Sequence, residues 1–256
     1  MIRTLARRGG LWVFAFFLTT APASAQVVHS LHFGAGGFFP TGSGSRADED
    51  VLLRNYLGEP FVFDPSVTDA LLFEFGDFRS WYLFGEWNVA FGNRVEIGAG
   101  LGFSRQTVPT IYRDVEDEIS GVNIFQTLRL QVLPITGLVR FLPFGNAATI
   151  QPYVGGGVSA LSFSYREEGE FVDSFSGEIF NARYQASGIA PGAVLLGGVR
   201  FPIGGDVFGI TVEVHRQFGV GDLGTDLEDS DDENDFLTDK VDLGGTQFTG
   251  GLLIRF

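Results

Sequence analysis

Nine ionisable side chains fall on the polar parity of segments that otherwise alternate with apolar residues. They are Glu86, Glu96 and Glu213, set against Arg94, Arg129, Arg140, Arg200 and Arg255, with His215 two places after Glu213. A guanidinium fork binds a carboxylate through two parallel hydrogen bonds, and carboxylates withdrawn from water need such partners. Two uses follow: a charge network that fills an interior and fixes strand register, or a polar path or gate for a small solute. Hydrolysis would need a nucleophile or activated water, a base and an orienting acid in mutual reach. His215 has Glu213 beside it but no Ser at a matching spacing, and the pair His32 and Ser30 lies far away in sequence. A satisfied interior histidine is the simpler reading, so no catalytic residue, metal ligand or cofactor is assigned.

These residues need strands to position them. Residues 81–91 alternate Trp81, Leu83, Gly85, Trp87, Val89 and Phe91 against Tyr82, Phe84, Glu86, Asn88 and Ala90. Gly92-Asn93 suits a two-residue hairpin turn, because both tolerate positive φ. The next strand then places Val95, Ile97, Ala99, Leu101 and Phe103 opposite Glu96, Gly98, Gly100 and Gly102. Those glycines recur every second residue within a strand, so they read as interior packing and not as a phosphate-binding turn. The same alternation marks residues 27–39, 189–201, 208–217 and 243–256. Two segments break it. Near Pro134 the apolar set passes from Leu128, Leu130 and Val132 to Ile135, Gly137, Val139 and Phe141, which predicts a bulge. In 150–165, Leu161, Phe163 and Tyr165 oppose Val154 and Val158, which predicts a second irregularity near Gly155-Gly156-Gly157.

Eight strands result, joined by connections that alternate long and short: about 40–80, 107–122, 166–187 and 219–242 against 92–93, 142–149 and 202–206. Residues 45–57 could add one short amphipathic helix to the first long loop. The fold expected is all-β, an eight-stranded antiparallel up-and-down transmembrane β-barrel with short periplasmic turns and long extracellular loops. Strands of this length match a tilted bilayer crossing, and eight strands leave an interior only wide enough for side chains. A soluble barrel of lipocalin type would turn its apolar face inward. Here the polar face is Gly, Ser, Thr and sparse charge of both signs, which suits a narrow interior better than a solvated exterior.

Composition agrees. The 256 residues include 27 Phe, 36 Gly and no Cys, which removes disulfides, thiolate metal sites and cysteine nucleophiles together. Residues 1–25 read as a secretory signal, with Arg3, Arg7 and Arg8, an apolar run from Leu11 to Leu18, and Ala23-Ser24-Ala25 before Gln26. Residues 26–256 then form one barrel domain. Cleavage leaves 14 basic residues of 17 against 31 acids, a charge of −17, so no basic patch for nucleic acid is expected. Val139-Arg140-Phe141, Val199-Arg200-Phe201 and Ile254-Arg255-Phe256 repeat one triplet, and Val89-Ala90-Phe91 is a weaker copy. Each would end an even-numbered strand at one membrane boundary, with Phe in an interfacial girdle and Arg turned inward.

Thr249, Gly251, Ile254 and Phe256 resemble the C-terminal signal of bacterial outer-membrane β-barrels. That resemblance implies delivery to the barrel-assembly machinery and closure of the last strand against the first. Over nearly the whole mature length the chain resembles the small eight-stranded outer-membrane proteins of the OmpW or OmpA transmembrane-domain type. The likeness implies a place in the bacterial outer membrane among lipids and lipopolysaccharide, and for the OmpW type a lateral passage for small hydrophobic molecules. Function is accordingly expected to be non-enzymatic: structural, or assisting permeation of small molecules. A surface binding module acting through the extracellular loops is the alternative, and a lipid- or peptide-cleaving enzyme a minor one. The acidic run Asp226, Glu228, Asp229, Asp231, Asp232, Glu233 and Asp235 could hold divalent cations between lipopolysaccharide phosphates, but it lacks the central Gly of an EF-hand loop. A solvated, self-repelling loop explains it as well.

Overall fold

The structure, a computed structural model, describes residues 27–41, 73, 75–116, 121, 123–172, 179–203, 207–223 and 240–256. The secretory signal, the helix expected at 45–57 and the acidic run lie outside the described residues. Nine strands follow in order: β1 (Val27–Pro40), β2 (Ser80–Phe91), β3 (Val95–Glu116), β4 (Asn123–Phe141), β5 (Gln151–Val172), β6 (Ile179–Ile203), β7 (Phe208–Asp222), β8 (Lys240–Asp242) and β9 (Gly245–Arg255). Each pairs antiparallel with its neighbour, and β9 bridges β1 and β7 to close an eight-stranded ring. The three-residue β8 adds only a short clip on β7. At the seam Phe256 exchanges two backbone hydrogen bonds with His29, at 2.9 and 3.2 Å.

The register fixes the shape of the ring. Following hydrogen-bonded partners from Phe91 leads through Val95, Phe141, Val154, Gly197, Val214, Phe248 and Gly37 to Trp81. One circuit therefore climbs from residue 91 to residue 81 of β2, a stagger of 10 residues (91 minus 81). Eight strands with that stagger tilt by about 40°, and ten residues at that tilt rise about 25 Å, the height of a lipid-facing band. The band is apolar: Leu31, Phe33, Trp87, Ile97, Leu101, Ile135, Val139, Val158, Leu195, Ile210 and Val212 are all exposed. Phe91 and Phe141 end β2 and β4, Phe201 lies two residues before the end of β6 and Phe256 directly follows β9, all exposed at its lower rim, and Trp81 stands 80% exposed at its upper rim.

Three expectations are corrected. The segments 107–122 and 166–187 are not long loops, because β3 continues to Glu116, β5 to Val172, and β6 begins at Ile179. The connections shrink to 117–122 and 173–178, so the wall there stands well above the lipid band. The bulge expected at Pro134 is absent: β4 keeps one register with β5 from Gln126 to Phe141, and the same sum of partners with β3 on both sides of Pro134. No irregularity occurs at Gly155–Gly157 either, where β5 stays in step with both neighbours.

At these two places the parity does not slip; the solvent changes, and the register shift between β3 and β4 lies higher, between Ile111 and Glu116. Low on β4, Ile135, Val139 and Phe141 face outward while Leu138 and Arg140 face inward. Higher up, Gln131 and Arg129 take the outer face while Leu128, Leu130 and Val132 are buried inside. On β5 the outer series passes from Val154 and Val158 to Ser162, Ser164 and Arg166, and the inner from Gly155 and Gly157 to Leu161, Phe163 and Tyr165. Below this level the outer face meets hydrocarbon, and above it meets water, so apolar side chains move to the inside.

The interior has two tiers. The upper holds an apolar cluster built around Phe78, Val108, Tyr112, Ile124, Leu128, Leu130, Leu161, Phe163 and Tyr165. Phe78 belongs to a short 3₁₀ turn, Phe75–Phe78, that enters the mouth of the ring ahead of β2. The lower tier carries the buried charges, with a smaller apolar cluster of Leu138, Leu142, Tyr153, Val194 and Leu196 beside them.

Candidate functional site

Inward parity on β2, β3, β4, β6, β7 and β9 brings most of the predicted charges together in the lower tier. Arg140 from β4 is its centre and is 1% exposed. Its Nη2 donates to Glu86 Oε2 at 2.6 Å and to Glu213 Oε2 at 3.3 Å, while Nη1 donates to Asn88 Oδ1 at 2.7 Å. Arg200 makes a two-pronged pair with Glu96, at 2.8 and 3.0 Å. The Tyr153 ring lies against both guanidiniums, 5.7 Å from Arg140 Cζ and 5.5 Å from Arg200 Cζ. Arg255 caps the lower end, donating to Gln151 Oε1 at 2.7 Å and to the Asn146 carbonyl at 3.3 Å. Three carboxylates thus face three guanidiniums, and the tier is neutral when its histidines are neutral.

Two imidazoles close the network. His215 contacts Glu213. His32 Nε2 lies 2.6 Å from Thr211 Oγ1, and its Nδ1 lies 3.4 Å from Glu86 Oε2. A hydroxyl, an imidazole and a carboxylate in that order are the parts of an acyl-transfer relay. Here all three are buried, and Glu86 is already engaged by Arg140. His32, Glu86 and Glu213 also bring potential ligand atoms within 4.8 Å of one another. The Arg140 guanidinium touches both carboxylates, so a divalent cation would compete with a charge already in place.

Small residues make the room. A side chain at Gly98 would overlap Asn88, one at Gly100 would come within 2.7 Å of Glu86 Cγ, and one at Gly155 within 3.2 Å of Arg140. Gly251, part of the C-terminal pattern, lies beneath His32 and Thr211, with a hypothetical Cβ 2.8 Å from His32 Nε2. Thr249 points inward and donates to the Glu213 carbonyl at 3.4 Å, whereas Ile254 and Phe256 lie on the lipid-facing parity.

Two predicted members do not belong. Arg94 is exposed in the tight turn between β2 and β3, where Gly92 adopts φ +68° and the Arg94 carbonyl accepts from Leu142 N. Arg129 faces outward above the lipid band and donates to Thr107 Oγ1 at 3.2 Å. Sequence reasoning missed Tyr153 and Gln151 as members, and did not join His32, Asn88 and Thr211 to the charges. Parity alone placed those three inside; which strands face across the ring is decided by closure.

The solved structures now bear on the case. The chain is similar to the outer membrane protein OprG from Pseudomonas aeruginosa, with a TM-score of 0.50 and 13% identity, covering 91% of this chain and 97% of that one. The fold is that of the small bacterial outer-membrane barrels. Neisserial surface protein A aligns with a TM-score of 0.42 and 9% identity over 90% of this chain and 96% of that one. No protein-family model and no curated protein matches the sequence. The apolar belt, closed ring and aromatic rims are those of a barrel that sits in a bacterial outer membrane.

Proposed function

We propose that this protein is a non-enzymatic integral barrel of the outer membrane with a closed lumen, a structural element that acts through its outer face and its extracellular end. The observation that carries this reading is the two-tier filling: Arg140 bridges Glu86 and Glu213 in the lower tier, and Leu128 and Leu161 are completely buried in the upper. An aqueous path would have to break ion pairs below and unpack an apolar cluster above. In planar bilayers the refolded chain is expected to give no steady ohmic conductance, and channels in wild type that persist in R140M would overturn the closed reading.

A second reading is favoured by the character of the upper tier. Fourteen buried apolar or aromatic residues cluster there, with Gln126 and Glu167 bonded to their tyrosine hydroxyls, a mainly apolar interior that suits small hydrophobic solutes better than ions. Uptake of an apolar dye into vesicles containing the barrel, abolished by bulky substitution at Ala190, would support permeation; uptake equal to empty vesicles would leave the structural role.

A further inference from the structure

The outward face of β3 to β6 carries four arginines at the level where the wall leaves the lipid band. Arg105 follows the last paired couple of β2 and β3, Tyr82 with Ser104, and so lies beside Trp81 at the upper rim. Arg129 faces Thr107 on one side and Arg166 directly on the other. Arg166 faces Gln185, two residues from Arg183. Arg105, Arg129 and Arg166 line one recess of about 210 Å³ together with Gln131 and Ser164.

Such crowding has a cost. Like charges set directly opposite on a sheet destabilise it, and this chain carries a net charge of −14, with acids available for pairing. Yet among the described residues none of the four is ion-paired to a carboxylate. Arg129 bonds to Thr107, while Arg166 and Arg183 share the amide oxygen of Gln185, at 2.6 to 3.3 Å. Glu168, opposite Arg183 in register, makes no ion pair with it. Neutral acceptors thus hold Arg129, Arg166 and Arg183, and a single nearby acid, Glu168, stands against the four guanidiniums without a direct ion pair. The recess is smaller than a whole-ligand pocket of 300 Å³ or more, so it fits a headgroup fragment.

We infer that Arg105, Arg129 and Arg166, with Arg183 above them, form a binding site for the phosphates of an outer-leaflet glycolipid, held against the outside of the barrel wall. Planar guanidinium forks match phosphate oxygens two at a time. The acyl chains of the same molecule would continue down the apolar face below, past Phe103, Ile135 and Val158, all exposed. This rests on the membrane-embedded reading proposed above.

The test uses the full chain refolded in detergent micelles and in phosphatidylcholine vesicles, titrated with a bisphosphorylated lipid A, its dephosphorylated counterpart and inorganic pyrophosphate. The bisphosphorylated lipid is expected to bind at least tenfold more tightly than either of the others, and raised salt to weaken it. R105Q/R129Q/R166Q should lose at least tenfold, while R216Q, a control on β7, should bind as wild type. Retention of the folded, faster-migrating band in unheated gels confirms that the variants close. Equal binding by the triple variant overturns the site, and pyrophosphate binding as tightly as the lipid replaces the glycolipid with a soluble anion. A chain that stays outside the vesicles would instead defeat the membrane reading.

Discussion

Replacing Arg140 by methionine removes the one group that bridges both halves of the lower tier while keeping a side chain of similar length. Glu86 and Glu213 would then keep only His32 and His215 as partners, and Asn88 Oδ1 would lose its donor. Breaking a buried ion pair from one side costs about 3–5 kcal/mol, because the remaining charge stays in a medium that solvates it poorly. An orphaned amide oxygen adds about 1 kcal/mol. The sum, about 4–6 kcal/mol, is a large share of the stability of most folded proteins. Equilibrium urea unfolding of the barrel in lipid vesicles, followed by Trp81 and Trp87 fluorescence, measures it. The same reasoning fixes the triple variant R140M/E86Q/E213Q. Most of the single-variant penalty is uncompensated charge, so neutralising the carboxylates should recover about half of it. A single-variant loss under about 1 kcal/mol, or a triple variant as unstable as the three singles added together, would refute the placement of these charges in a closed, dry tier.

The remaining predictions test geometry at other points. The chain has no Cys, so single cysteines carrying a fluorophore can report which side of the wall each position faces. Labels at 101, 135, 158 and 195 should be quenched by brominated lipids and those at 128, 130, 161 and 163 should not; quenching at 128 and 130 would restore a slip at Pro134. Leu161→Ala, at a completely buried position, should cost about 2–5 kcal/mol in the same urea assay. Gly98→Val, which drives a side chain into Asn88, should abolish the folded band in unheated gels, whereas Gly85→Val, with nothing within 4 Å, should leave it unchanged. Phe256→Ala removes the aromatic stacked on His29 at 6.1 Å but not the backbone seam, and should slow folding in vesicles without changing the final spectrum.

Strand identity, parity and the lower-rim triplets were legible in the sequence because alternation is a local property of an extended chain. Phe91, Phe141, Phe201 and Phe256 do lie on the outer face at or within two residues of their strand ends, and Arg140, Arg200 and Arg255 do turn inward. The assignment failed where hydrophobicity was taken as a compass for outside. In β4 and β5 the apolar set changes parity because the surroundings of the wall change from lipid to water. A sequence shows the change of pattern, and it reads equally as a bulge. Only the constant register of β4 against β5, held through Pro134 and Gly156, tells the two apart.

The sequence by itself determined that the chain forms a barrel of alternating strands and which residues share each face. Tertiary structure decided the rest: the stagger of 10 residues, set by closure between β1 and β9, chooses which strands meet across the lumen. It joins His32 to Thr211 over 179 positions and Arg200 to Glu96 over 104. The unbroken parity of β4, in turn, leaves Arg129 outside beside Arg166, although its charge matched the interior set. Partner choice across a ring is a property of its circumference and tilt, and no local pattern of residues encodes either.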